Sequence, residues 1–161
     1  MNPTDEHDAS TATRREFCAL TCQAVSLLAI NSVIQGCGGN PMSSGSSAPP
    51  LNQMSGTAAG GTVTVNIDSG SALASVNGAA LVNSSAGSFL VTRTGQETFV
   101  ALTAICTHEG CTVSGFENQV YVCPCHGSRY STSGGVVQGP ATSALRQFST
   151  RFANPVLTIT L

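Results

Sequence analysis

The sequence predicts an all-β domain over residues 62–161, a small antiparallel sandwich or barrel. Three observations predict it. The segment is built of short runs rich in Val, Ile, Thr and Phe; these runs are separated by Gly, Ser, Asn and Pro; and no stretch after residue 62 has helical periodicity. Thr62-Val63-Thr64-Val65-Asn66-Ile67 alternates polar and apolar, the period of a half-buried strand. Further strand-like runs lie at 88–93, 98–105, 119–122, 145–152 and 156–161, and Asn77-Gly78, Thr94-Gly95 and Gly134-Gly135 mark turns. A core of this size is modest, so a cofactor or a disulfide would help to hold it.

Composition narrows the function. The chain has 161 residues, of which 9% are charged, and all six basic residues are arginine. An average soluble protein has roughly 25% charged residues. With a net charge of −2, a nucleic-acid-binding surface is excluded as the main function. Seven cysteines is a high and odd number, so at least one stands outside any intramolecular pair.

Residues 1–36 resemble a twin-arginine export signal: Arg14-Arg15 precede a softly apolar run from Phe17 to Ile34. Ile34-Gln35-Gly36-Cys37 resembles a bacterial lipobox, which would make Cys37 a lipid anchor; a retained signal anchor is the alternative. Either implies a protein exported to the bacterial cell envelope and held at the periplasmic face of the cytoplasmic membrane. Residues 37–61 are dominated by Gly, Ser, Pro and Ala and read as a flexible tether, with an end-to-end distance of about 25–30 Å as a random coil.

Two cysteine/histidine clusters follow strand-like runs. The first is Cys106-Thr107-His108-Glu109-Gly110-Cys111 and the second Cys123-Pro124-Cys125-His126-Gly127-Ser128. Facing strand-end loops can hold a metal centre on a rigid sheet. From the residues alone, three centres compete. One is tetrahedral zinc on Cys106, His108, Cys123 and His126. A framework of disulfides would leave the histidines idle. The third is an iron–sulfur cluster with mixed ligands.

Cys-x-His followed by Cys-x-x-His resembles the ligand pattern of the Rieske [2Fe–2S] family. The resemblance covers roughly residues 62–161 and is densest at 106–111 and 123–130. It implies a Rieske-type fold with two cluster-binding loops and one [2Fe–2S] cluster, with Cys106 and Cys123 on one iron and His108 and His126 on the other. Cys111 and Cys125 match the extra cysteines of Rieske subunits of cytochrome bc (quinol–cytochrome c reductase) complexes, where the equivalent pair forms a disulfide. Ser128 and Tyr130 match positions whose hydroxyls hydrogen-bond the cluster sulfurs, and Gly139-Pro140-Ala141 resembles the loop that forms a third wall.

The resemblance also implies a mechanism. Two thiolates neutralise two ferric ions and two sulfides, and a neutral centre accepts an electron more readily than the dianion that four thiolates would give. The outward histidine nitrogens would couple electron uptake to proton uptake from a quinol. The expected function is one-electron transfer as the Rieske subunit of a quinol-oxidising respiratory complex, with membrane redox subunits and a cytochrome-type acceptor as partners. A Rieske subunit or carrier for another periplasmic oxidoreductase, of arsenite-oxidase type, is the alternative; a zinc- or disulfide-stabilised binding module is the third reading. Two positions depart from the family pattern: Glu109 stands where quinol-oxidising relatives usually have an apolar residue, and Thr142 where many have a second proline.

Overall fold

The computed structural model describes residues 48–161. Arg14, Arg15, Cys37 and the first part of the tether lie outside them. Among the described residues the regular structure is all β: β1 (Asn52–Ser55), β2 (Thr57–Ala59), β3 (Thr62–Asn66), β4 (Ala79–Ser84), β5 (Gly87–Arg93), β6 (Phe99–Thr103), β7 (Gly115–Glu117), β8 (Val120–Val122), β9 (Arg129–Ser131), β10 (Val136–Gln138), β11 (Gln147–Ala153) and β12 (Val156–Thr160). No helix among them is long and apolar enough to cross a membrane.

Eight strands form one sheet in the order β1-β4-β5-β6-β11-β12-β3-β2. Its two end strands are consecutive in the chain, with Gly56 alone between them. The run 52–59 therefore leaves β4 and joins β3 without interruption, and the sheet closes into a barrel. A Cβ on Gly56 would lie 2.6 Å from Val63 Cγ1 and 3.0 Å from Val82 Cγ1, so the crossing needs a glycine.

This corrects the sequence reading of residues 37–61 as tether, at least from Pro50 onward. Pro50 bridges Gly115, Leu51 is buried, and β1 and β2 carry full registers with β4 and β3. The segment's few apolar side chains cannot build a core alone, but they cover one that the rest of the chain supplies. The named strand pairs are antiparallel as expected, with one exception: β1 runs parallel to β4. No hairpin joins the two, so nothing local forces reversal. Gln119, expected to start a strand, instead shares the β7–β8 turn with Asn118, both at positive φ (61° and 49°).

The smaller sheet, in the order β10-β9-β8-β7, is inserted between β6 and β11. One core fills the barrel, around Val63, Val65, Val82, Phe89, Val91, Leu157 and Ile159. A second joins the barrel to the small sheet through Leu51, Leu81, Leu90, Leu102, Tyr121 and Tyr130, and reaches Cys106 and Cys123. The cysteines thus stand on packed ground.

Tyr121 is fully buried, and its hydroxyl hydrogen-bonds that of Thr92 on the barrel. Burial raises its pKa well above the usual tyrosine value of 10. Above pH 10 the unfolded chain releases a proton that the folded chain keeps. Stability therefore falls as pH rises, by about 1.4 kcal/mol per unit for this group. Urea titrations between pH 9 and 11 are expected to show a shallower fall in Tyr121→Phe than in the native chain; equal falls would refute the assignment. At neutral pH the same variant is less stable by about 1–3 kcal/mol, because Thr92 loses its buried partner.

Candidate metal centre

Both cysteine/histidine loops have the same backbone. In the first, Gly110 N–H donates to Cys106 O (2.9 Å) and Cys106 N–H to Cys111 O (2.8 Å). In the second, Gly127 N–H donates to Cys123 O (3.0 Å) and Cys123 N–H to Ser128 O (2.8 Å). Gly110 and Gly127 share a φ of 73°, the left-handed conformation that each turn needs and glycine adopts without steric cost. The chain therefore contains a structural duplication, Cys-x-x-x-Gly, that the sequence reading did not register. Histidine falls on the third residue of the first loop and the fourth of the second.

The structure brings all the predicted site residues of this domain together. Cys106 and Cys123 are free thiols, and both are buried. The His108 and His126 rings lie 5.0 Å apart, centroid to centroid. Cys111 and Cys125 form a disulfide between the loops, with their Cα atoms 6.5 Å apart. That bond removes the pure disulfide framework from contention, since the other two cysteines of the loops remain reduced.

Two hydroxyls serve the sulfurs. Tyr130 OH lies 3.2 Å from Cys106 Sγ and is buried under it. Ser128 Oγ accepts from Ala141 N–H (3.2 Å), which leaves the hydroxyl proton free for a sulfur. Burial pushes the Cys106 thiol pKa up, but hydrogen bonds from Tyr130, the His108 backbone, Cys123 and Ser128 outweigh it, and the net shift is downward. The Cys123 thiol is raised, chiefly by burial. Gly139-Pro140-Ala141 packs on the second loop at close range: a Cβ on Gly139 would lie 2.6 Å from Ser128 Cα.

Whether these residues suit a metal group can be read from one atom. His108 Nδ1 is buried and finds no hydrogen-bond partner among the described residues. An unpartnered buried nitrogen is costly unless it has a ligand to bind. With two reduced buried thiols beside it, the donor set fits a thiophilic metal group. The imidazole edges also meet a carboxylate: Glu109 Oε2 is 3.6 Å from His126 Nδ1 and Oε1 is 4.0 Å from His108 Nε2. Glu109 is 61% exposed and is the one acidic residue in the two loops. Nearby, Glu117 and Arg129 neutralise each other at 2.7 Å.

Sequence reasoning missed Thr107. Its hydroxyl lies 3.0 Å from Tyr130 OH and donates to Ser143 O at 2.6 Å. The contact spans 36 residues, and no local pattern announces it.

Comparison with known proteins agrees with this geometry. The profile described as the Rieske [2Fe-2S] domain matches residues 65–149, more than half of the chain. The cytochrome b6-f complex iron-sulfur subunit of Trichodesmium erythraeum is 49% identical over 55 residues, 32% of this chain and 30% of that protein. The subunit of the same name from Chlorobaculum thiosulfatiphilum is 40% identical over 52 residues, 32% of this chain and 29% of that protein. The chain thus spans about a third of the length of these curated relatives. A crystal structure of the cyanobacterial plasma membrane Rieske protein from Synechocystis PCC 6803 is 30% identical, with a TM-score of 0.47, covering 52% of this chain and 87% of that one. The profile match, the paired loops and the disulfide lead to one conclusion: this chain belongs to the Rieske [2Fe–2S] domain family and carries one Rieske-type cluster.

Proposed function

We propose that this chain transfers single electrons as the Rieske subunit of a quinol-oxidising membrane complex, with Cys106 and Cys123 holding one iron of the cluster and His108 and His126 the other. The observation that carries the ligand assignment is the convergence of two reduced thiols, two imidazoles and an unpartnered buried His108 Nδ1 on one disulfide-clamped pair of loops. The bound cluster supplies a one-electron couple whose potential is raised by histidine ligation.

The chain's own residues do the rest. The Cys111–Cys125 bond holds the loops face to face. Tyr130 and Ser128 place donors at the sulfurs, where they favour the reduced state with its extra negative charge. His126, 48% exposed on its side chain, is the imidazole most open to a partner. In this reading the arginine pair and Cys37 export the protein and hold it at the periplasmic membrane face, within reach of membrane redox subunits and a cytochrome-type acceptor.

Metal analysis and EPR of the reduced protein test the cluster: two irons per chain and a spectrum with an average g value below that of all-cysteine clusters are expected, and zinc without iron would refute it. A supply of quinol and a cytochrome acceptor, with turnover followed in membranes, tests the complex. Glu109 favours a second reading, service to a different periplasmic oxidoreductase, because an exposed carboxylate between the imidazoles suits a polar partner better than an apolar quinol pocket. The same charge opposes reduction. Glu109→Leu is expected to raise the potential by about 40 mV, from a screened charge–charge term of order 1 kcal/mol. Redox titration checks the sign, and no rise would contradict it.

A further inference from the structure

Tyr130 has one phenolic proton and two acceptors that want it. Its oxygen lies 3.2 Å from Cys106 Sγ and 3.0 Å from Thr107 Oγ1, and accepts from Thr107 N–H at 3.2 Å. Thr107 cannot resolve the competition by donating to Tyr130. Its own single proton goes to the Ser143 carbonyl at 2.6 Å, and a carbonyl can only accept. The Thr107–Tyr130 contact is then a bond that Tyr130 donates. A cysteine sulfur bound to iron has no proton to offer, so it too must take that of Tyr130. The donor is therefore shared.

We propose that Thr107 is a potential-setting residue, which draws the Tyr130 proton away from Cys106 for as long as the Ser143 carbonyl holds the Thr107 proton. This rests on the cluster assignment above and adds a position to it. Thr107 touches neither iron nor partner in this role; it is a positioning residue acting through Tyr130. Ser143 belongs to the stretch between Gly139-Pro140-Ala141 and β11, so the strength of the donor at Cys106 is tied to where that stretch sits. If Ser143 moves away, the Thr107 proton is free to turn toward Tyr130. Tyr130 then gives its own wholly to the sulfur, and the reduced state gains.

The sign of the effect separates this from a merely structural role. Loosening a loop beside a cluster by deleting a hydrogen bond is expected to weaken its support and leave the potential unchanged or lower. Removing a competitor for the donor raises it. Thr107→Val keeps the shape and deletes the hydroxyl. Its reduction equilibrium constant is expected to rise about threefold to tenfold, about 30–60 mV for a one-electron couple. Thr107→Ser keeps the hydroxyl and is expected to retain the native potential.

Tyr130→Phe lowers the potential by itself, and in that background Thr107→Val is expected to have no upward effect. The experiment is a redox titration of the holoprotein and these variants, followed by EPR so that only chains with an intact cluster are read. An unchanged or lowered potential in Thr107→Val overturns the proposal, as does an equal rise with Tyr130 already replaced. If Thr107→Val takes up no cluster, Thr107→Ala is read by the same criteria. Cluster loss in every Thr107 variant, the serine included, also overturns it. A native protein without the Rieske spectrum refutes the cluster assignment instead, which keeps the two failures distinct.

Discussion

A chain that begins at Thr62 is expected not to form the closed barrel, although the alternating strands all lie beyond that point. Deleting residues 48–61 removes the four β1 pairs with β4 and the three β2 pairs with β3. It takes Leu51 from the core shared with the small sheet, and Met54 and Ala58 from the side of the barrel core. Burial of one leucine contributes about 1.5–3 kcal/mol and each backbone hydrogen bond about 0.5–1.5 kcal/mol. Together these losses rival the whole stability of a small domain, about 5–15 kcal/mol. The freed edges of β3 and β4 would also be open to pairing with other molecules. Urea unfolding and size-exclusion chromatography of chains 48–161 and 62–161 check this. A cooperative, monomeric 62–161 with the midpoint of the longer chain would show that the closing run is dispensable.

Gly139→Ala is the point substitution expected to have a large effect on the site itself. Gly139 has a φ of 102°, where side chains are rarely tolerated, and its added methyl would meet Ser128 Cα at 2.6 Å, Gly127 O at 2.9 Å and Ser128 N at 3.0 Å. These are backbone atoms, which cannot swing aside as a flexible side chain can. The second loop or the Gly139-Pro140-Ala141 stretch must shift, and the Ala141 N–H to Ser128 Oγ bond spans both. Backbone strain of about 1–3 kcal/mol and overpacking of about 1–3 kcal/mol add to a loss of about 2–6 kcal/mol. The expected results are a melting midpoint lower by about 10 °C or more and a lower iron content on purification. Gly135→Ala is the control: its Cβ would find only Ser131 Oγ, at 3.4 Å, in ordinary contact. Equal effects of the two would refute the argument.

Particular residues show why some of this was legible in the sequence and some was not. β3, β5, β6, β11 and β12 were found within a residue or two at most ends, because their alternation of buried and exposed positions or their β-branched content marks them. β4 left no such trace: Ala79-Ala80-Leu81-Val82 is buried on both faces, so it has no polar alternate, and its alanines have low strand preference. β7, β9 and β10 are three residues each, too short for any period to register. β1 and β2 were hidden by composition, since a Gly- and Ser-rich stretch orders only because the barrel offers two edges to it. At the site, the cysteine and histidine spacing marked the four candidate ligands, and the resemblance to the Rieske family that this spacing carries implied the disulfide and the place of Tyr130. Thr107 and Ser143 were not legible, because their meeting is a tertiary event.

The route by which the chain enters the described domain determines how it bears mechanical load. Phe116 N–H donates to Pro49 O and Leu51 N–H to Ser114 O, so the chain is stitched first to the edge of the sheet carrying the second loop and only afterwards to the barrel. A force drawn through the N-terminal side would meet these two bonds before any bond of β1 or β2. Such a pull is therefore borne first at the β7 edge, and reaches the barrel strands only after these two bonds.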